Sequence, residues 1–483
     1  MGFGLAGLLG TALSLALGAL GTATATVPGG GSGPGTGGIP ASQGGSVPHT
    51  DSLYSTTGNG RVDTLSYRLR LSWAPATRTL SGDARISLRP LDDRTFTLDL
   101  GHPLGVRSLT LRTSSGRALS SSFTHDGDRL TVRAPRLAAG TTYDVSVRYA
   151  GTPHTVRIPS SRQDDADLGW KIHPDGQVST MQEPYGAYTW YPVNDQPADK
   201  ALYDITVDAP RKWVGVSNGR LVSRTRTGSR QVTHFTSRDP MASYLTTVAI
   251  GPYVRSAQRG PHGLPITYWV PRSRSRYLAP LRSTPHALAW LEARLGPYPF
   301  DRAGVVVVPG DSAMETQTMI TLGRGNYGFG GQNVRETVLH ELAHQWYGDT
   351  VTPDDWSDVW MNEGMAMYLE ARYSVAQGWR PSSFWRNQFN GQDALWRRLY
   401  GPPGAPDRDQ FAQVNVYYCP ARMWLRLRQE IGARRFDELI RRWPQEHRDS
   451  SQDRASYAAW YGRESGHGWE WFEPWLLSRT PPA

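Results

Sequence analysis

From Leu53 onward, short stretches of the chain alternate between apolar and polar positions. Tyr67-Arg68-Leu69-Arg70-Leu71, Phe96-Thr97-Leu98-Asp99-Leu100, Leu130-Thr131-Val132 and Tyr143-Asp144-Val145-Ser146-Val147 all carry period two, with turn residues between them. Such alternation predicts strands with one buried and one wet face. Further strands are expected at 203–207 and 244–250. Near Gly251-Pro252 the character changes, and apolar positions recur at helical spacing over 281–295, 334–347, 365–376 and 421–443. One apolar strand is expected among them, at 305–308. The pattern predicts an α+β multidomain protein: an all-β domain from 49 to 254, then an α-rich domain with a small sheet from 255 to 483.

The ends and the composition refine that picture. Residues 26–48 are mostly Gly, Pro, Ser and Thr with little to bury, and read as a flexible linker. Residues 5–20 are rich in Leu, Ala and Gly and are followed by Ala23-Thr24-Ala25, a small-x-small cleavage pattern, so 1–25 reads as a signal peptide. Export and cleavage are therefore expected, with no stable membrane association afterwards. An uncleaved N-terminal anchor is the alternative, although the run is short and weakly apolar for a span. The formal charge of +9 comes mostly from arginine, lysine occurring at Lys171, Lys200 and Lys212. The basic residues are interleaved with acids, which predicts a solvated surface and no nucleic-acid partner. A single cysteine, Cys419, excludes an intrachain disulfide.

The chemistry concentrates in His340-Glu341-Leu342-Ala343-His344. On a helix these histidines stand one turn apart on one face, where two imidazoles reach a common Zn²⁺. Glu341 lies beside them, placed to take a proton from an attacking water. The competing reading is two surface histidines on an ordinary helix. After eighteen intervening residues beyond His344, Glu363 of Trp360-Met361-Asn362-Glu363-Gly364 offers a third ligand, and two histidines with one carboxylate make the open zinc site of a hydrolase.

These residues resemble the gluzincin aminopeptidases, the aminopeptidase N and leukotriene hydrolase family, whose zinc motif is matched residue for residue. The likeness continues in Gln345-Trp346-Tyr347-Gly348-Asp349 and, in the first half, in Trp190-Tyr191-Pro192-Val193-Asn194-Asp195-Gln196-Pro197 with Lys200-Ala201. It implies a saddle-like N-terminal β domain, a thermolysin-like catalytic domain, and one Zn²⁺ per chain held by His340, His344 and Glu363. It implies Glu341 as general base and peptides with a free N-terminus as substrates. In the family's amine-recognition segment this chain has Ser312-Ala313-Met314-Glu315-Thr316, keeping the glutamate. Glu183 falls at the second amine-binding position, with Met181 and Gln182 before it. Alignment puts Tyr417 at the catalytic tyrosine, with Tyr418 as alternative, Cys419 in place of lysine, and Pro420 expected at the helix start. An acidic residue should orient the histidines, with Glu336 and Asp355 as candidates.

Relatives commonly carry a further helical C-terminal domain. Residues 472–477 resemble the end of the catalytic domain, so that domain is expected to be absent and the site more open. A monomer is expected. Two rivals remain: a thermolysin-like endopeptidase, and a secreted binding protein on a peptidase scaffold. The intact ligands and Glu341 weigh against the second.

Overall fold

The computed structural model describes residues 49–162 and 166–482; the expected signal peptide and linker lie outside them. The first half is β throughout. Its main sheet has eight strands in the order Arg220–Thr227, Arg230–Thr236, Leu202–Pro210, Val62–Ala74, Thr79–Pro90, Tyr143–Gly151, Leu104–Thr113, Ala118–Leu119. Leu69, Leu71 and Trp73 face the core while Arg68 and Arg70 face water, as the period-two pattern requires. Val62–Ala74 runs parallel to Leu202–Pro210, with Leu69 opposite Ile205, and antiparallel to Thr79–Pro90.

A five-stranded sheet in this half includes Val178–Met181 and Val248–Gly251. The strand expected at 244–250 is shorter than its apolar run: Ser243–Leu245 is a 3-10 turn, and the strand begins at Val248. Buried polar groups of the Trp190 to Ala201 segment brace the β half and its junction with the second half. Asp195 accepts from the backbone N–H of Gly186 (2.9 Å) and from the Ser243 hydroxyl (2.7 Å). Lys200 Nζ donates to the carbonyls of Asp349 (2.7 Å) and Thr350 (3.0 Å), just past the second histidine. Burial lowers its ammonium to about 8.

The second half opens with Tyr253–Arg259, directly after Gly251-Pro252. This strand begins a five-stranded sheet ordered Tyr253–Arg259, Pro265–Pro271, Ala303–Val308, Ile320–Gly323, Ala313–Met314. Ala303–Val308 has parallel neighbours on both sides and is buried along its length, which is why it reads as an unbroken apolar run. Ala313–Met314 is an edge strand.

Three helices carry the site: Gly331–His344, Trp360–Ala376 and Val414–Ile431, called here the histidine, glutamate and tyrosine helices. The histidine helix starts earlier than its apolar pattern and ends at His344, four residues before Gly348. The helix expected over 421–443 is two helices, Val414–Ile431 and Ala433–Glu446. Gly432 separates them at φ 84°, a conformation that favours glycine and breaks the ladder. Pro420 is consequently the seventh residue of the tyrosine helix rather than its start. It packs against Gly364, where an added Cβ would stand 2.4 Å from Pro420 Cγ. That close approach sets the spacing of the glutamate and tyrosine helices.

Candidate active site

The histidine helix turns His340 and His344 toward the glutamate helix, one turn apart. His340 Nε2 lies 3.1 Å and His344 Nε2 3.2 Å from Glu363 Oε2. Ligand atoms from these three buried side chains fall within 4.8 Å of one another, a group suited to one metal ion. The opposite ring nitrogens are also engaged. His340 Nδ1 lies 3.0 Å from Glu370 Oε2, and His344 Nδ1 lies 3.1 Å from the carbonyl of Tyr347. Those partners hold Nδ1 protonated and leave Nε2 as the donor toward a metal. By donor set and tautomer, the residues fit zinc.

The sequence candidates for orienting the histidines are corrected here. Glu336 accepts from the Ser374 hydroxyl at 2.6 Å, while Asp355 accepts from Ser52 and caps a 3-10 turn at Ser357. Glu370 takes the role instead. It sits seven residues beyond Glu363, two turns along the same helix face, a spacing that was visible in the sequence.

A cavity of about 480 Å³ opens over this group, and Glu183, Glu315, Glu341 and Tyr417 line it with the three metal-group residues. Glu341 is buried at 6% exposure; burial pushes its carboxyl up to about 8, with His340 and His344 drawing it back. Glu315, on the turn after the edge strand, is buried rather than a surface charge. Glu183 follows Val178–Met181. Period two sends Met181 and Glu183 to the cavity, while Gln182 turns into the core, donating to the Thr246 carbonyl at 2.6 Å and accepting from Trp190 Nε1 at 3.2 Å.

Both Glu183 and Glu315 have a buried Oε1 that no hydrogen bond reaches. Burial raises both carboxyls, and for Glu183 the nearby charges of Glu315 and Glu363 raise it further. Two buried carboxylates in one cavity, each with an oxygen left unpartnered, suit a cation between them. Tyr417 stands in the first turns of its helix, its ring stacked on His340 at 6.0 Å between centroids. Its neighbour Tyr418 packs on Trp396 and Phe389 in the core. Cys419 is buried, and burial raises its thiol, so it acts as a small packing group.

Comparison with known proteins places the chain in a family. The model described as Peptidase M1 N-terminal domain matches residues 63–245, and that described as Peptidase family M1 domain matches 280–472. The chain belongs to peptidase family M1. Aminopeptidase N of Streptomyces lividans is 33% identical over 221 residues, covering 42% of this chain and 25% of that one. Human endoplasmic reticulum aminopeptidase 1 is 26% identical, covering 61% of this chain and 33% of its own length. For tricorn protease-interacting factor F2 of Thermoplasma volcanium the figures are 26%, 57% and 37%. This M1 member thus spans between a quarter and two fifths of these curated relatives. An M1 zinc metallopeptidase of Deinococcus radiodurans shares the fold, with a TM-score of 0.79 at 24% identity, covering 90% of this chain and 97% of that one. A mutant of it is described bound to a Tyr-Ser-Ala substrate.

Proposed function

We propose that this M1 member is a zinc aminopeptidase that removes the first residue from peptides with a free α-amine. One observation carries the reading: the unsatisfied carboxylate oxygens of Glu183 and Glu315 share a cavity with His340, His344 and Glu363. A metal group alone would suit any hydrolase. Two buried anions beside it suit an ammonium, whereas the uncharged interior of a peptide would leave them buried and unpaired.

Zinc held by the two histidines and Glu363 would supply Lewis acidity, polarising the scissile carbonyl and easing deprotonation of water. Glu341 accepts the proton of the attacking water and passes it to the departing amine, a task its raised basicity favours. The Tyr417 hydroxyl donates to the carbonyl oxygen as that atom gains negative charge. Glu183 and Glu315 hold the ammonium, so only the first peptide bond reaches these groups.

In the same reading the chain is exported by way of residues 1–25, works outside the cell as a monomer, and divides into a β domain over 49–254 and a catalytic domain over 255–483. The leader-like composition and the change of character near Gly251 support this part. The test is hydrolysis of aminoacyl arylamides, free and N-acetylated, by the zinc-loaded protein, its chelator-treated form and Glu341→Gln. Turnover of free amines alone, lost in the variant and restored by zinc, is expected. Cleavage of blocked substrates would move the reading to an endopeptidase, and zinc binding without turnover would leave a binding protein.

A further inference from the structure

Among the described residues lining the cavity, Arg162 is the one lysine or arginine. It comes from the β half, where residues 159–162 lie against the segment that leads into the tyrosine helix. The backbone N–H of Phe411 donates to the Pro159 carbonyl at 2.9 Å. The Ser161 hydroxyl donates to Gln410 Oε1 at 2.7 Å, and Gln413 Nε2 donates to Ser161 Oγ at 2.9 Å and Ser160 Oγ at 3.2 Å. Arg162 Nη1 then donates to the Ala412 carbonyl at 3.1 Å and to the Tyr417 hydroxyl oxygen at 3.3 Å. Ala412 sits at φ 48°, a left-handed conformation unfavourable for a non-glycine residue, which a surrounding set of bonds must maintain.

We propose that Arg162 is a positioning residue for Tyr417, aiming its hydroxyl proton at the substrate carbonyl oxygen and strengthening it as a donor. The inference rests on the aminopeptidase reading above. Guanidinium has donors and no acceptor, so Arg162 occupies a lone pair of the phenol oxygen and cannot take its proton. The single O–H of Tyr417 is thereby left for the metal-group side of the cavity, where it donates to Glu363 in this structure and where the substrate carbonyl oxygen would take its place. A positive charge behind the oxygen also steadies the negative charge the hydroxyl shares as the tetrahedral state forms. The β domain acts on the chemical step through this contact as well as on the substrate amine through Glu183.

The test uses the zinc-loaded full chain with Arg162→Met, Arg162→Lys, Tyr417→Phe and the double variant Arg162→Met/Tyr417→Phe. Steady-state rates are measured on an aminoacyl arylamide. Calorimetric affinity is measured for a phosphinic dipeptide analogue, whose tetrahedral P–O⁻ stands in for the oxyanion, and for the free product amino acid. The contact is charge-assisted but long, so Arg162→Met should lower kcat about ten-fold and weaken the analogue by a similar factor, with KM and amino-acid affinity little changed. Arg162→Lys should recover part of the loss. In the Tyr417→Phe background Arg162→Met should cost nothing further.

An equal loss in both backgrounds would overturn the proposal, as would a loss confined to KM and amino-acid affinity, which would assign Arg162 to Glu183 instead. Absence of turnover in the unaltered chain would defeat the aminopeptidase reading. The analogue titration would still decide this inference, because lack of coupling between Arg162 and Tyr417 there overturns it.

Discussion

At the histidine corner of the cavity both ring nitrogens of each histidine are already matched: His340 and His344 place one nitrogen against Glu363 and the other against Glu370 or the Tyr347 carbonyl. At the carboxylate corner Glu183 and Glu315 each keep a buried oxygen with no partner, and burial raises both carboxyls. The first corner is preorganised to keep an ion; the second is left short of positive charge until a substrate arrives. Their origins differ in the same way. The histidine and glutamate helices, braced by their own side chains, make the histidine corner, and Gly364 seats the glutamate helix against the tyrosine helix. The carboxylate corner joins a strand end of the β half to an edge strand of the other half.

The comparison is broken or sharpened most strongly at Glu341, which serves the chemistry but neither corner's binding. Glu341→Gln should lower kcat about a thousand-fold while zinc content by atomic absorption stays at one per chain. Loss of the metal as well would mean that Glu341 belongs to the metal's support.

Next in size, Glu315→Gln should reduce kcat/KM for free-amine substrates about a hundred-fold, because the ammonium loses a buried partner. Discrimination against N-acetylated substrates should shrink with it. The same corner predicts a pH dependence. Ammonium binding needs the ionised carboxylates, and burial raises their proton affinity, so KM for free amines should rise as pH falls through that raised range. Glu315→Gln should flatten this limb; an unchanged limb would remove Glu315 from substrate binding.

Smaller effects probe the histidine corner. Glu370→Gln should weaken zinc affinity roughly 10- to 100-fold in a chelator competition while leaving KM at saturating zinc near its original value. Gly364→Ala should cost about 1–3 kcal/mol in chemical denaturation, since the new methyl group meets Pro420. Activity at saturating zinc should fall with it, as the glutamate and tyrosine helices separate. A neutral outcome would show that the helix spacing tolerates displacement.

Much of the site could be read from the chain because its signals are local. His340 and His344 are one helical turn apart, and alternation around Leu69 and Leu71 sets which face of the main sheet is buried. Glu370 carries the same kind of signal, two turns beyond Glu363 on one helix face, which Glu336 and Asp355 do not. Gly432 and Pro420 show the limit of periodicity: apolar spacing continues through 421–443 while a positive φ splits the helix, and a proline lies inside it where the start was expected.

By itself, the sequence determined the histidine pair of the metal group and the alternation of the β half, since each depends on spacings that a single helix or strand imposes. Only the tertiary structure decided that Glu183 shares a cavity with Glu315, that Tyr417 rather than Tyr418 stacks on His340, and that Arg162 reaches the Tyr417 hydroxyl. Those residues lie on separate elements, and their proximity follows from how sheets and helices pack, which no periodicity along the chain encodes.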